Sequence, residues 1–148
     1  MKGCKVRGSD AYLQGNALHT VNFHTPEYDT GGFWNPVGGQ SNHVLIPFSG
    51  TYLVVAYAQW GAPVPTSSPQ GGEDDFSGAT RSVAVTRNGL AILGAEQRVS
   101  ASASEAKVIA VSVQVLTAGD QVGVELYMTG ACDSMPGQIQ TLAVTKLD

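Results

Sequence analysis

The segment from Thr51 to Trp60 has the residues of a long β-strand, and it is apolar on both sides. Successive side chains of a strand point to opposite faces of a sheet, so the two faces are read separately. Both faces are apolar here: Tyr52, Val54, Ala56, Ala58 and Trp60 on one, and Leu53, Val55 and Tyr57 on the other. The segment from Val108 to Val115 has the same double-apolar character. Because the core of a two-layer domain covers only one face of each sheet, the second face requires another apolar layer.

The rest of the chain predicts strands and turns and offers no helix to form that layer. Gly, Pro and Asn-Gly recur between short segments rich in Val, Ile, Thr, Tyr and Ala, and no long window has helical periodicity. We therefore predict an all-β sandwich and infer that another subunit covers the second face in a homo-oligomer. A bulge that shifts the register is the alternative explanation. The predicted strands are Cys4–Gly8, Tyr12–Leu13, Thr20–His24, Asn42–Phe48, Thr51–Trp60, Arg81–Thr86, Leu90–Val99, Lys107–Leu116, Gln121–Met128 and Gln138–Leu147.

The segment from Gln121 to Met128 alternates cleanly between apolar and polar residues. Strands of this kind have one face on a core and one face in water. The apolar set is Val122, Val124, Leu126 and Met128, and the opposite set is Gln121, Gly123, Glu125 and Tyr127. We assign this strand to a solvated outer sheet.

The low charge of the chain excludes some classes of function. Only 14% of the 148 residues are charged, and the net charge is −4, whereas an average soluble domain has roughly 25% charged residues. No cluster of Lys and Arg provides an electrostatic footprint for nucleic acid. The longest apolar stretch, Tyr52 to Ala58, is shorter than the ~20 residues of a membrane helix. The N-terminal residues lack the apolar region of a secretory signal, so we expect synthesis in a cytoplasm.

The length predicts one domain. We divide the chain into a short N-terminal arm, residues 1–10, and a single jelly-roll domain, residues 11–148, although the first strand has an alternative start near Cys4. Residues 61–78 contain three prolines, four glycines and three consecutive acids, and are predicted to be a long surface loop.

Several short motifs, taken in order, resemble a known superfamily. They are Tyr28-Asp29-Thr30-Gly31-Gly32-Phe33-Trp34, the segment Ile46-Pro47-Phe48-Ser49-Gly50-Thr51-Tyr52-Leu53-Val54, then Trp60, Arg81, Asn88-Gly89, and Leu116-Thr117-Ala118-Gly119-Asp120-Gln121-Val122. This ordered set is similar to the globular head of the complement C-one-q and tumour necrosis factor superfamily, and most similar to its bacterial and bacteriophage versions. The resemblance extends from about Val6 to Leu147. The chain departs from the animal members in having no collagen repeats and a longer, more acidic loop at residues 61–78.

The resemblance implies a ten-stranded jelly roll of two five-stranded antiparallel sheets, assembled as a tight homotrimer. It also implies that the inner sheet holds the long strand after Gly50, the strand before the Ala118-Gly119-Asp120 turn, and the last strand. Strand parity does not decide which face of Thr51–Trp60 is the subunit interface. On the resemblance we predict the face formed by Tyr52, Val54, Ala56 and Ala58.

Other candidate ligand-binding residues are few. Glu73, Asp74 and Asp75 offer oxygen ligands for calcium, although a solvated acidic loop is the simpler interpretation. Tyr127 is the exposed aromatic candidate for stacking on a ligand. The three histidines are interpreted as polar sheet residues, with a ring of one histidine per subunit on the three-fold axis as the alternative. Cys4 and Cys132 are interpreted as unpaired thiols, with a bridge between them left open.

The sequence carries no motif that positions catalytic residues, so the protein is predicted to be neither an enzyme nor dependent on a cofactor, calcium aside. A chain that starts with Met and lacks signal, collagen and anchor fits a bacteriophage virion protein. We expect it to decorate the capsid surface or to form a fibre or spike head, with other virion proteins such as the major capsid protein, or a host-surface receptor, as partners. Lys2, Lys5 and Arg7 are the predicted attachment residues. The alternative function is a bacterial surface adhesin or lectin-like head that binds glycans or protein receptors.

Overall fold

A computed structural model describes residues 1–8, 12–14, 18–36, 39, 41–60, 79–101, 106–128 and 134–148. These residues form eleven strands and no helix. The strands are β1 (Gly3–Gly8), β2 (Tyr12–Gln14), β3 (Leu18–Thr20), β4 (Phe23–Asp29), β5 (His43–Leu45), β6 (Gly50–Trp60), β7 (Ala79–Arg87), β8 (Leu90–Ala101), β9 (Ala106–Leu116), β10 (Gln121–Met128) and β11 (Ser134–Lys146).

The strands form two antiparallel sheets, as predicted for a jelly roll. The six-stranded sheet has the order β4-β1-β11-β6-β9, with β2 paired to the start of β11. The five-stranded sheet has the order β3-β10-β7-β8, with β5 paired to β10 beside β3. The described strands exceed the predicted ten by one, because Thr20–His24 is not a single strand. The chain crosses there from β3 in one sheet to β4 in the other.

The core lies between the inward faces of the two sheets. The six-stranded sheet contributes Cys4, Val6, Phe23, Tyr52, Val54, Ala56, Ala58, Val108, Ala110, Leu116, Leu142 and Val144, and the five-stranded sheet contributes Val44, Val83, Val85, Val122, Val124 and Leu126. The inward set of β10 is therefore the apolar set that alternation predicted, with its Met128 side chain outside the described residues.

Two tight turns position the ends of the strands. Asn88 and Gly89 both have positive φ, 53° and 81°, as the predicted two-residue hairpin requires. Arg87 pairs directly with Leu90 across that turn. Gly119, with φ 94°, makes the turn from β9 to β10, and so carries the chain from the six-stranded to the five-stranded sheet.

Candidate assembly interface

The outward face of the six-stranded sheet is apolar where β6 and β9 lie side by side. Three rows of paired residues run across β11, β6 and β9: Thr141–Tyr57–Ile109, Ala143–Val55–Val111 and Thr145–Leu53–Val113. Val115 of β9 extends the surface beside Thr51. We call the seven side chains of β6 and β9 on this surface the apolar face: Leu53, Val55, Tyr57, Ile109, Val111, Val113 and Val115.

The β9 half of the apolar face is the more exposed half. The side chains of Ile109, Val111, Val113 and Val115 are 52%, 57%, 61% and 73% exposed, whereas those of β6 are half-buried. Among the described strands, β9 is the last of its sheet, so no described strand pairs with its outer row of backbone N–H and C=O groups. A contiguous apolar surface beside an open strand edge is typical of a surface that another chain covers.

The predicted interface residues Tyr52, Val54, Ala56 and Ala58 lie on the other side of β6. All four are fully buried in the core of the single chain, so the assignment of that face to the subunit interface is wrong. Tyr52 packs edge-on against Phe33, with ring centroids 6.1 Å apart, and its hydroxyl donates a 2.6 Å hydrogen bond to the carbonyl oxygen of Phe48. These contacts lie within one chain, and the four side chains have no exposed surface that a partner subunit could contact.

The N-terminal residues do not form an arm. Residues Gly3–Gly8 are β1, which pairs with β11 on one side and β4 on the other, and Cys4 and Val6 are fully buried. The Nζ of Lys5 lies 2.6 Å from Glu27 Oε2, and the Nζ of Lys2 lies 3.8 Å from the centre of the Phe48 ring. The prediction of a separate arm of residues 1–10 is therefore wrong, because β1 already begins at Gly3. The attachment role predicted for Lys2, Lys5 and Arg7 loses the free arm on which it rested.

The other candidate ligand residues differ in how far the structure describes them. Glu73, Asp74 and Asp75 lie outside the described residues, as do Cys132 and the whole of the predicted 61–78 loop. Within the described ranges, no three His, Cys, Asp or Glu side chains come together as a metal site. Tyr127 is half-buried on the outward face of β10, where it pairs with Leu18 and Ser82.

The Tyr28–Trp34 motif has a structural role in the described chain. The carboxylate of Asp29 accepts hydrogen bonds from the backbone N–H groups of Gly32, Phe33 and Trp34, at 3.0, 3.1 and 2.9 Å. This holds a tight turn and places Phe33 in the core. The motif therefore explains how this turn is held.

The thiol of Cys4 is inert in the folded chain. Burial, and secondarily the negative charge of Asp29, raise its pKa to about 12. The free thiol of Cys4 therefore stays protonated at neutral pH, and only a thiolate reacts as a nucleophile or binds a metal.

A network around Asp120 fixes one end of the sandwich. Its carboxylate accepts a 2.8 Å hydrogen bond from the Thr117 N–H and a 2.9 Å hydrogen bond from the Asn88 side-chain amide, and lies 2.6 Å from the Arg87 guanidinium. The backbone hydrogen bond from Thr117, together with Asn88 and Arg87, lowers the pKa of Asp120 although its partial burial acts in the opposite direction. The network joins the β7–β8 hairpin to the β9–β10 turn, and it was not predicted because its members are distant in sequence.

Comparisons with known proteins find the same fold in solved structures. The globular domain of the zebrafish complement 1qA protein superposes with a TM-score of 0.67 at 12% identity, covering 100% of this chain and 98% of that one. Eiger TNF from S. frugiperda gives 0.62 at 17% identity over 99% and 92% of the two chains. Murine APRIL gives 0.60 at 15% identity over 99% and 100%. No family model and no curated protein matches the sequence. Among the described residues, no helix of a length and polarity suited to crossing a bilayer is found.

Proposed function

We propose that the protein is a non-enzymatic homotrimer, assembled through the apolar face, that acts as a structural or binding module. The observation that carries the proposal is the row of four exposed apolar side chains on edge strand β9, continued by the half-buried side chains of β6. No charged side chain belongs to the apolar face, and depletion of charge is a property of the centres of protein interfaces.

The energetic argument favours a covered face. Burying a Val or Ile side chain fully contributes about 1.5–3 kcal/mol, so covering seven large side chains offsets much of the cost of association. Left exposed, the same surface would promote association through the open edge of β9. We take the number of subunits, three, from the superfamily that the sequence motifs resemble, because its members are trimers.

Charge suits the proposed assembly. With −4 per chain, a trimer carries −12. That charge keeps free trimers apart in solution and lies outside the apolar face, so it does not oppose the contact itself.

The solution mass tests the proposal. We expect the wild type to behave as three chains of 15.4 kDa, about 46 kDa, by light scattering after size exclusion. The double variant Val111→Lys/Val113→Lys should be a folded monomer, because lysine on an edge strand opposes pairing. Leu18→Lys is the control: Leu18 is 68% exposed on β3, at the edge of the five-stranded sheet opposite β8, and its variant should stay trimeric. A wild-type monomer, or a double variant that keeps the wild-type mass, contradicts the proposal.

We also propose that the module is a bacteriophage virion component, decorating a capsid or forming a fibre or spike head. The support is the similarity of the Tyr28–Trp34 and Ile46–Val54 motifs to bacteriophage members of the superfamily. Immunogold electron microscopy of purified bacteriophage particles, with an antibody against the protein, tests the location. Label on capsid facets or at a tail tip supports the role, and purified particles without label contradict it.

A surface adhesin or lectin-like head is the second candidate function. It is favoured by a polar pocket on the outward face of the five-stranded sheet, which remains open when the apolar face is covered. Binding to a glycan array without association with particles would favour this function over the virion role.

A further inference from the structure

A small pocket lies on the outward face of the five-stranded sheet, where β5 and β7 flank β10. Its volume is about 130 Å³, and apart from two glycines its lining residues all have polar side chains. The lining residues are Thr20, Asn42, His43, Thr86, Gly89, Gln121, Gly123 and Glu125. It belongs to the opposite sheet from the apolar face, so its occupancy does not depend on the proposed trimer.

Gly123 lies at the base of the pocket, where its neighbours leave no room for a side chain. Gly123 pairs with His43 on one side and with Thr86 on the other, so the three residues form one row across the sheet. A Cβ atom at position 123 would lie 2.7 Å from the Asn42 carbonyl oxygen and 2.9 Å from Thr86 Oγ1. Thus Gly123 forms a buried floor, and Gln121 and Glu125 stand on either side of it along β10.

The lining groups both donate and accept hydrogen bonds. His43 Nδ1 lies 2.6 Å from Asn42 Oδ1, which leaves the Asn42 amide N–H₂ and His43 Nε2 for other partners. Thr20 and Thr86 contribute hydroxyl groups, which act in both roles, and Gln121 contributes an amide. The carboxylate of Glu125 forms no ion pair with a described residue, and it is a strong acceptor for O–H donors.

The turn at Asn88-Gly89 holds the lining residue Gln121 in place. The backbone N–H of Gln121 donates to Asn88 Oδ1, at 2.8 Å, and the Asn88 N–H donates to the Gln121 carbonyl, also at 2.8 Å. Asn88 is held in turn by Asp120. The end of the pocket at Gln121 is therefore fixed by hydrogen bonds to the Asn88 turn. Because this part of the lining is already ordered, less entropy is lost when a ligand binds.

We propose that this pocket binds a neutral saccharide through two adjacent hydroxyl groups, with Glu125 accepting from both and Thr86, Asn42 and His43 completing the contacts. No Lys or Arg lines the pocket, which disfavours an anion, and no apolar side chain lines it, which disfavours a hydrophobic ligand. At about 30 Å³ per water molecule in the liquid, the volume equals about four waters. That is room for one edge of a sugar ring and not for a whole oligosaccharide, so the rest of the ligand lies outside the pocket.

Nuclear magnetic resonance titration of the whole protein tests the inference. The probes are methyl α-mannopyranoside and methyl β-galactopyranoside, which present adjacent hydroxyls in different orientations. We expect at least one to shift the backbone amide signals of His43, Thr86 and Gly123 saturably, with a dissociation constant of about 1 mM, as befits a small site. Glu125→Gln should weaken that binding by about five-fold or more, because it removes the charge-assisted acceptor.

Two further variants and one control separate binding from folding. Gly123→Ala should abolish binding because its Cβ would displace the Asn42 backbone and the Thr86 hydroxyl, and Thr86→Val should weaken binding while keeping the shape of the side chain. Glu27→Gln, a carboxylate change on the other sheet, should bind like the wild type. Absence of saturable shifts with both sugars, or equal binding by wild type and a folded Glu125→Gln variant, overturns the proposal. Zinc chloride shifting the same signals in place of the sugars overturns it too, in favour of a cation held by His43 and Glu125.

Discussion

Strands β9 and β10 follow one another in the chain, joined by the turn at Thr117–Asp120, yet their outward faces are opposite in character. Four of the five outward side chains of β9 are apolar, namely Ile109, Val111, Val113 and Val115, and the fifth is Lys107 at its start, while β10 presents Gln121, Gly123, Glu125 and Tyr127. Both strands have apolar residues facing the shared core, so core formation does not explain the difference. This difference is the one that the proposed trimer and the proposed ligand pocket require, with protein over the outward face of β9 and water or a small polar ligand at that of β10.

The largest expected difference in stability is between the same substitution at two adjacent residues of β6, Val54 and Val55. Val54 is fully buried in the core, and Val55 lies on the apolar face. Val54→Asp places a charge in the core, at a cost of several kcal/mol against a typical total stability of 5–15 kcal/mol, so we expect an unfolded chain. Val55→Asp should give a folded monomer.

Circular dichroism and light scattering distinguish these outcomes. If Val55→Asp unfolds the chain as completely as Val54→Asp does, both faces of β6 belong to the core of one subunit. If Val55→Asp keeps the wild-type mass, the apolar face is not the interface.

The alternation of β10 and the hairpin at Asn88-Gly89 could be predicted from sequence because each depends on neighbouring residues alone. The choice between the faces of β6 could not be made from its parity, since both sets are apolar. One feature of the sequence does distinguish the two faces of β6. The outward set ends in polar residues, Thr51 and Gln59, whereas the inward set is apolar throughout. In β9, Ser112 and Gln114 lie on the inward side and obscure the corresponding signal.

The second expected effect concerns the turn that borders the polar face. Asp120→Asn keeps the shape of the side chain but removes the charge facing Arg87 and converts one acceptor oxygen into a donor beside the Thr117 or Asn88 donors. We expect a loss of about 1–3 kcal/mol in the free energy of unfolding, measured by urea titration of the chain. The conservative Asp148→Asn change, at an exposed carboxylate that contacts Lys146, should cost less. Equal losses would mean that the Asp120 network adds no more than a surface pair.

Acid should act on the same turn and leave the apolar face intact. The pKa of Asp120 is lowered in the folded chain, chiefly by the Thr117 hydrogen bond. Its stabilisation is therefore fully present above the ordinary carboxyl pKa, near 4, and is lost as the pH falls through the lowered value. The apolar face contains no carboxylate or imidazole group, so we expect thermal stability to fall below pH 4 before the proposed trimer dissociates. Asp120→Asn should flatten part of that pH dependence, and an unchanged profile would contradict the assignment.

The Asp120 network and the pocket at Gly123 were beyond the reach of sequence reasoning for the same reason. The network joins two segments that are distant in sequence, and the pocket joins four, so both depend on how the strands are placed in the fold. In the sequence, Glu125 is an outward residue of one predicted strand and His43 is a polar residue of another. Their proximity follows from β3 and β5 pairing one after the other with the same edge of β10.

The central claim is that the apolar face is covered by other copies of the chain while the outward face of β10 remains open. Single cysteines at Val113 and Gln121, each in a Cys132→Ser background, measure this directly by their rates of alkylation. Cys4 does not interfere, because its thiol is buried with a raised pKa. In a single chain both positions are exposed. The account predicts that the cysteine replacing Val113 reacts about ten-fold or more slowly than the one replacing Gln121, whereas equal rates would contradict it.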